Sequence, residues 1–323
     1  MALHDEGKLV SVELHGNQLL QRSHCVRCQQ HAVLGWTSDG VFACAGCRDS
    51  DEVESDDMHS CDVSSSSCPR PSGDGPAAQL AFDRCDDTTS DELLELVAAA
   101  YAGSLLRHRF LGIELFSDPT GWTVSATVWS ASRVLACYLL QGPGACAPGS
   151  RVCELGAGCG GPGLALQARI PACEVTLTDL PHALPMLQLN AGLNAGLKAS
   201  AARVRELCWG SELHQHAALG PFDVIIGADL VYDDALHDDL LASLTALASA
   251  GKPMRGGASC RVVLALPERD DGDGLARFLE RSTARRWSWR PAIVAHTVGG
   301  EPGSTYPIVV FEGRPPASCE VIL

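Results

Sequence analysis

The chain has 323 residues, 46% of them hydrophobic, and a formal net charge of −15. That is enough apolar material for one large core or two, while the acidic balance argues against nucleic acid, whose phosphates need a basic face. No apolar run reaches the roughly 18 residues of a membrane span, and the opening MALHDEGKLV has neither the basic nor the apolar region of an export signal; a cytoplasmic protein is expected, with the nucleus as the alternative.

Without an export signal, the fifteen cysteines read as metal ligands or buried thiols rather than disulfides. Cys25 and Cys28 form one C-x-x-C, Cys44 and Cys47 another, and fifteen residues separate the pairs. At this spacing four thiolates can converge tetrahedrally on zinc. A module of residues 1–48 has too little core to fold alone, and a metal would supply the missing stabilisation. Structural zinc is therefore the preferred reading, with free reduced cysteines and redox chemistry as the alternatives. Between the pairs, HAVLGWTSDGVFAC reads as a hairpin turning at Asp39 and Gly40. Residues 49–89 follow as an acidic linker rich in Ser, Pro and Gly. From Asp49 to Ser90 eleven acids stand against two arginines, a composition that buries too little to offset chain entropy.

Residues 90–323 form the main domain. SDELLELVAAAYAGSLLRH predicts a helix, with Ser90 as cap and Asp91 and Glu92 favourable in its first turn. FLGIELF and WTVSATV read as two short paired strands, and WSASRVLACYLL as an amphipathic helix. From Arg151 the rhythm is regular. Strands at RVCEL, EVTLTD, RVRELCW, FDVIIGAD and CRVVLALP alternate with helices at GLALQAR, HALPMLQLNAGLN, LHDDLLASLTALAS and LARFLERSTA. Such alternation means a parallel sheet covered by helices on both faces. WSWRPAIVA and PIVVFEG have no helix between them and predict an antiparallel hairpin at the end of the sheet. Trp287 and Trp289, flanked by Arg285, Arg286 and Arg290, alternate with polar residues as in a half-buried strand, so packing is preferred over contact with RNA.

Ligands of such sheets lie beyond the carboxyl ends of the strands, where strand order reverses. RVCELGAGCGGPG puts G-x-G-x-x-G there through Gly156, Gly158 and Gly161, glycines that allow backbone to approach a ligand closely. Asp179 ends the next strand 21 residues beyond Gly158, at the distance of an acid that accepts hydrogen bonds from a ribose diol. Enzymes of NAD and of S-adenosylmethionine share this arrangement. Past the fourth strand, Asp229 and Tyr232 form D-x-x-Y. A carboxylate there can orient an acceptor amine, and a tyrosine offers an oxygen and a ring face for a cationic product.

Taken in order, VWSAS, VCELGAGCGG, TLTDL, LCWG and GADLVY decide between the two cofactors. This set resembles the seven-β-strand protein lysine methyltransferases of the methyltransferase-like 21 group, from about FLGIEL to PIVVFEG, roughly two thirds of the chain. The resemblance implies a Rossmann-like seven-stranded domain that uses S-adenosylmethionine to methylate the lysine ε-amine of a protein substrate. It implies that Trp129 covers the cofactor, that Gly156, Ala157 and Gly158 floor it, and that Asp179 binds its ribose. Trp209 and Ala228 would contact its adenosyl and methionine parts, and Glu154 would support the loop or the cofactor amine. Asp229 and Tyr232 would serve the acceptor. Relatives carry Asp where this chain has Ser130, whose hydroxyl is expected to cap the following helix. The cysteine module lies outside the resemblance. A monomer without nucleic-acid or membrane partners is expected. The other readings are a methyltransferase for protein histidine or a small amine, and a non-catalytic zinc-bearing interaction protein.

Overall fold

The computed structural model describes residues 105–118, 124–142, 144–197, 201–250, 260–269, 274–297 and 306–316, with Glu95, Val97 and the strand segments 10–15, 18–24, 31–36 and 42–44. Among these residues the chain opens with β1 (Val10–His15), β2 (Gln18–His24), β3 (His31–Trp36) and β4 (Phe42–Cys44), then β5 (Leu106–Phe110) and β6 (Ile113–Ser117). The alternating part comprises α1 (Ser130–Gln141), β7 (Arg151–Glu154), α2 (Gly161–Arg169), β8 (Glu174–Asp179), α3 (Leu184–Leu193), β9 (Arg203–Glu206) and α4 (Leu213–Leu219). It continues through β10 (Val224–Ala228), α5 (His237–Ser249), β11 (Arg261–Pro267), α6 (Gly274–Ala284), β12 (Ser288–Thr297) and β13 (Ile308–Arg314).

Seven strands in the order β12-β13-β11-β10-β7-β8-β9 make the body of the sheet. Strands β7 to β11 run parallel, and β13 enters antiparallel between β11 and β12. The expected Rossmann-like architecture and its terminal antiparallel hairpin are therefore present. Two-residue periodicity sorts the core: Ile226, Val263 and Ala265 pack with Leu135, Leu166 and Leu187 of α1, α2 and α3. Their neighbours Ile225, Val262 and Leu264 point to the opposite face, onto Leu240 and Leu244 of α5 and Phe278 of α6. Both faces are covered, as near-continuous apolar runs in parallel strands require. Trp287 is buried and stacks on Trp289 at 5.4 Å, so this pair is packing material.

The sheet does not end at β12. β1 pairs with it in parallel, Val12 against Ala295, and β2, β3 and β4 follow antiparallel, giving eleven strands in all among the described residues. Val12 and Leu14 are buried in the same cluster as Ile293 and Ala295. The expected hairpin of the cysteine module is present as β3 and β4, with Trp36 opposite Phe42. Cys25, Cys28 and Cys47 lie outside the described residues, and of Cys44 only its place at the end of β4 is described. The linker 49–89 lies outside them as well, and of the helix expected after it Glu95 and Val97 are described, both helical.

Two local expectations are corrected. FLGIELF is not one strand paired with WTVSATV. Its first residues close a hairpin between β5 and β6, with Phe110 opposite Ile113 and Leu111 and Gly112 as the turn. Both turn residues have positive φ, 49° and 85°, as the two-residue turn that matches strand twist demands. Burial of Leu111 opposes the cost of about 1–2 kcal/mol for a left-handed leucine. Val124–Ala126, in the middle of WTVSATV, is a 3-10 turn. The second correction concerns Ser130: Trp129 is the N-cap of α1, and the buried Ser130 hydroxyl caps nothing and has no hydrogen-bond partner. No helix among the described residues is long and apolar enough to cross a membrane.

Candidate active site

Strand order reverses between β7 and β10, and the loops after β7, β8 and β10 meet there. The glycine loop after β7 is stapled to both neighbours: the Leu155 amide donates to Ile226 O at 3.0 Å and the Ala157 amide to Thr178 O at 3.0 Å. The Thr178 hydroxyl donates back to Glu154 O at 2.7 Å. Gly158 has φ of 54°, and a Cβ on it would sit 2.8 Å from Ser125 O, so both conformation and close approach call for glycine. Asp179 closes the loop from β8. Its Oδ2 accepts from the Gly158 amide at 2.7 Å and its Oδ1 from the Leu180 amide at 2.7 Å. Burial raises its pKa and these two donors oppose the rise.

These elements wall a cavity of about 500 Å³, within the range of small-molecule sites. Gly156, Ala157, Gly158 and Asp179 form one side of it, and Trp129, at the start of α1, faces it. The Trp129 indole is fixed by a 3.0 Å hydrogen bond to Val124 O. Trp209 contributes from the loop after β9, so close to Gly156 that a Cβ there would lie 3.2 Å from its Cζ2. Ala228, Asp229 and Tyr232 complete the wall from the end of β10, Tyr232 being 52% exposed at the rim. All the expected site residues of the main domain except Glu154 meet on this one surface.

Glu154 stands behind it. The residue is 2% exposed, and its Oε2 accepts from the Gly163 amide, in the first turn of α2, at 2.7 Å. Burial pushes its carboxyl up to about 8, against the pull of that amide. It thus ties β7 to α2 beneath the loop and does not line the cavity.

Further residues at the site were not anticipated. Asp229 is 7% exposed and in a left-handed conformation, φ 58°. Both of its carboxylate oxygens accept from Nη2 of Arg269, at 2.7 and 2.9 Å. Arg269 follows the end of β11, and a charged residue just past the carboxyl end of a parallel strand was the available signal. Asn190 of α3, fully buried, donates to Cys159 O at 3.0 Å and to Phe116 O at 2.9 Å, binding the glycine loop to β6. Ser125, His182 and Asp239 also line the cavity. Among the described residues no cluster of three or more His, Cys, Asp or Glu could hold a metal ion.

Comparison with known proteins shows the family to which the chain is similar. A family described as lysine methyltransferase matches residues 112–280. The chain is 34% identical over 191 residues to protein N-lysine methyltransferase METTL21A of Danio rerio, covering 59% of this chain and 84% of that protein. It is 35% identical over 175 residues to EEF1A lysine methyltransferase 3 of Mus musculus, covering 51% and 72% respectively.

Proposed function

The chain belongs to the lysine methyltransferase family and is an S-adenosylmethionine-dependent protein-lysine N-methyltransferase; from that premise we propose how its cavity performs the transfer. The carrying observation is the convergence of the glycine loop, Asp179, the two tryptophans and D-x-x-Y on one cavity of about 500 Å³. The residues fit the cofactor, since Gly156 and Gly158 keep backbone bare where a Cβ would narrow the space, and Asp179 holds a carboxylate against the loop. S-adenosylmethionine supplies a methyl group on a sulfonium, which a neutral amine takes as the C–S bond breaks and its electron pair returns to sulfur.

The chain's own contribution is alignment and desolvation. Asp179 holds the ribose diol, Trp129 and Trp209 bound the apolar part of the cavity, and the 156–158 backbone floors it. Tyr232 offers its hydroxyl and ring face to the amine at the rim, and Asp229 orients that amine. The functional test is incubation of the purified chain with labelled S-adenosylmethionine and heat-treated extract protein, followed by digestion and mass spectrometry. Methyl-lysine is the expected product; label on histidine alone, or none, overturns the reading. Asp179→Ala should weaken S-adenosylmethionine binding by about 1–3 kcal/mol, roughly 5- to 150-fold. Calorimetry reads this directly, and an unchanged affinity removes Asp179 from the site.

The four-cysteine spacing, together with a hairpin between the pairs, further supports structural zinc on Cys25, Cys28, Cys44 and Cys47. Metal analysis of purified protein should find about one equivalent per chain for one four-thiolate site. A metal content near zero excludes it.

A further inference from the structure

Arg269 has no assigned part in the transfer, yet its side chain ends on the carboxylate that faces the acceptor. The backbone beneath it is fixed, because the Glu268 amide donates to Pro307 O at 2.8 Å. From there the side chain, 24% exposed, crosses the strand ends to Asp229 and places one guanidinium nitrogen 2.7 Å from Oδ1 and 2.9 Å from Oδ2. Asp229 is held from its other side too, its amide donating to Ala265 O at 2.9 Å. The carboxylate is therefore fixed in orientation, with Arg269 as its neutralising partner among the described residues.

The remaining charges around the rim are mostly of one sign. Asp233 comes from the loop after β10, Asp179 from β8 and Asp239 from α5, and the neutral Tyr232 phenol and the His182 imidazole stand beside them. An uncompensated carboxylate within about 4–6 Å of an amine favours the protonated form by 1–3 pK units. The protonated form has no lone pair and cannot accept a methyl group. A carboxylate meant to align the amine would by itself hold it in the unreactive state.

We propose that Arg269 is a positioning residue that fixes Asp229 and cancels its charge, so that the carboxylate aligns the acceptor amine without stabilising the ammonium. This rests on the reading that Asp229 faces a lysine acceptor. The pairing divides two functions that a lone carboxylate would confuse, orientation and charge. It also predicts which property of residue 269 matters: positive charge above donor geometry.

The test compares wild type with Arg269→Gln, which keeps hydrogen-bond donors but loses the charge, and with Arg269→Lys, which keeps a charge. The probe is a saturating peptide spanning the lysine identified by mass spectrometry with wild type, and the readout is kcat against pH, which reports groups in the bound complex. Arg269→Gln should reach its half-maximal rate about one pH unit above wild type, so that it is roughly tenfold slower near neutrality and recovers at alkaline pH. Arg269→Lys should keep the wild-type midpoint, with a lower plateau because a shorter, more mobile ammonium stem fixes the carboxylate less well. Unchanged S-adenosylmethionine affinity by calorimetry establishes that both variants are folded. Equal midpoints for the Gln and Lys variants, or a Gln rate depressed by one factor at every pH, overturn the proposal and leave lysine methylation standing. Wild type that methylates no lysine overturns the functional reading itself.

Discussion

Asp229→Ala is expected to slow methyl transfer by about 100-fold, the scale on which misplacing a reacting group by an ångström acts, while S-adenosylmethionine affinity stays close to wild type. The residue sits at the end of β10 on the cavity wall, its carboxylate held by Arg269 and its backbone in a left-handed conformation. Alanine removes the oxygen that orients the amine. It also leaves the Arg269 guanidinium without that partner beside the acceptor, where it repels an incoming ammonium. Part of any stability loss will come from placing alanine at φ 58°, which aspartate and asparagine tolerate better. Asp229→Asn separates the terms, since it keeps the backbone preference and one acceptor for Arg269 while losing the charge. Rates of label transfer, with cofactor affinity measured in parallel, check this. A wild-type rate in Asp229→Ala with normal affinity would remove Asp229 from the acceptor site.

The second large effect is on stability and comes from Glu154. Its carboxyl is raised by burial to about 8 in the fold, against an ordinary value of 4.5. Between these values the folded chain keeps a proton that the unfolded chain gives up, so stability falls as pH rises. The contribution is fully present below about pH 4.5 and lost by about pH 8, and the full span corresponds to roughly 5 kcal/mol by linkage. Glu154→Gln keeps an oxygen for the Gly163 amide and cannot ionise. Urea unfolding at pH 5 and pH 8 should therefore show a steep decline for wild type and a much shallower one for Glu154→Gln. Parallel pH dependences for the two proteins would mean that Glu154 is ionised in the fold and that another group answers its charge.

What the sequence discloses, and what it hides, follows the reach of each signal. The order of strands and helices from Arg151 onward is legible because each element carries its own periodicity. The Asp179–Gly158 contact is legible too, since a strand, a helix and a second strand fix the separation of the two loops. The first hairpin is misplaced because its turn uses Leu111 where asparagine or glycine would announce it. Ser130 looks like a cap by residue type, but α1 begins one position earlier than such a cap requires. Arg269 and Asp229 are 40 residues apart and on different loops, and an ion pair across that distance leaves no local pattern. The pairing of β1 with β12 is hidden for the same reason at far greater separation.

That last pairing bears on how the protein can be handled. β12 runs for ten residues, whereas β4, the strand that ends the sheet on that side, has three. Deleting the amino-terminal 48 residues to isolate a catalytic fragment would strip β12 of its parallel neighbour and uncover Ile293 and Ala295 where Val12 and Leu14 pack. A bared strand edge of this kind, from Ile293 to Thr297, is open to pairing with strands from other molecules. Cutting the chain between its cysteine pairs and its glycine loop would thus exchange a covered strand edge for an adhesive one.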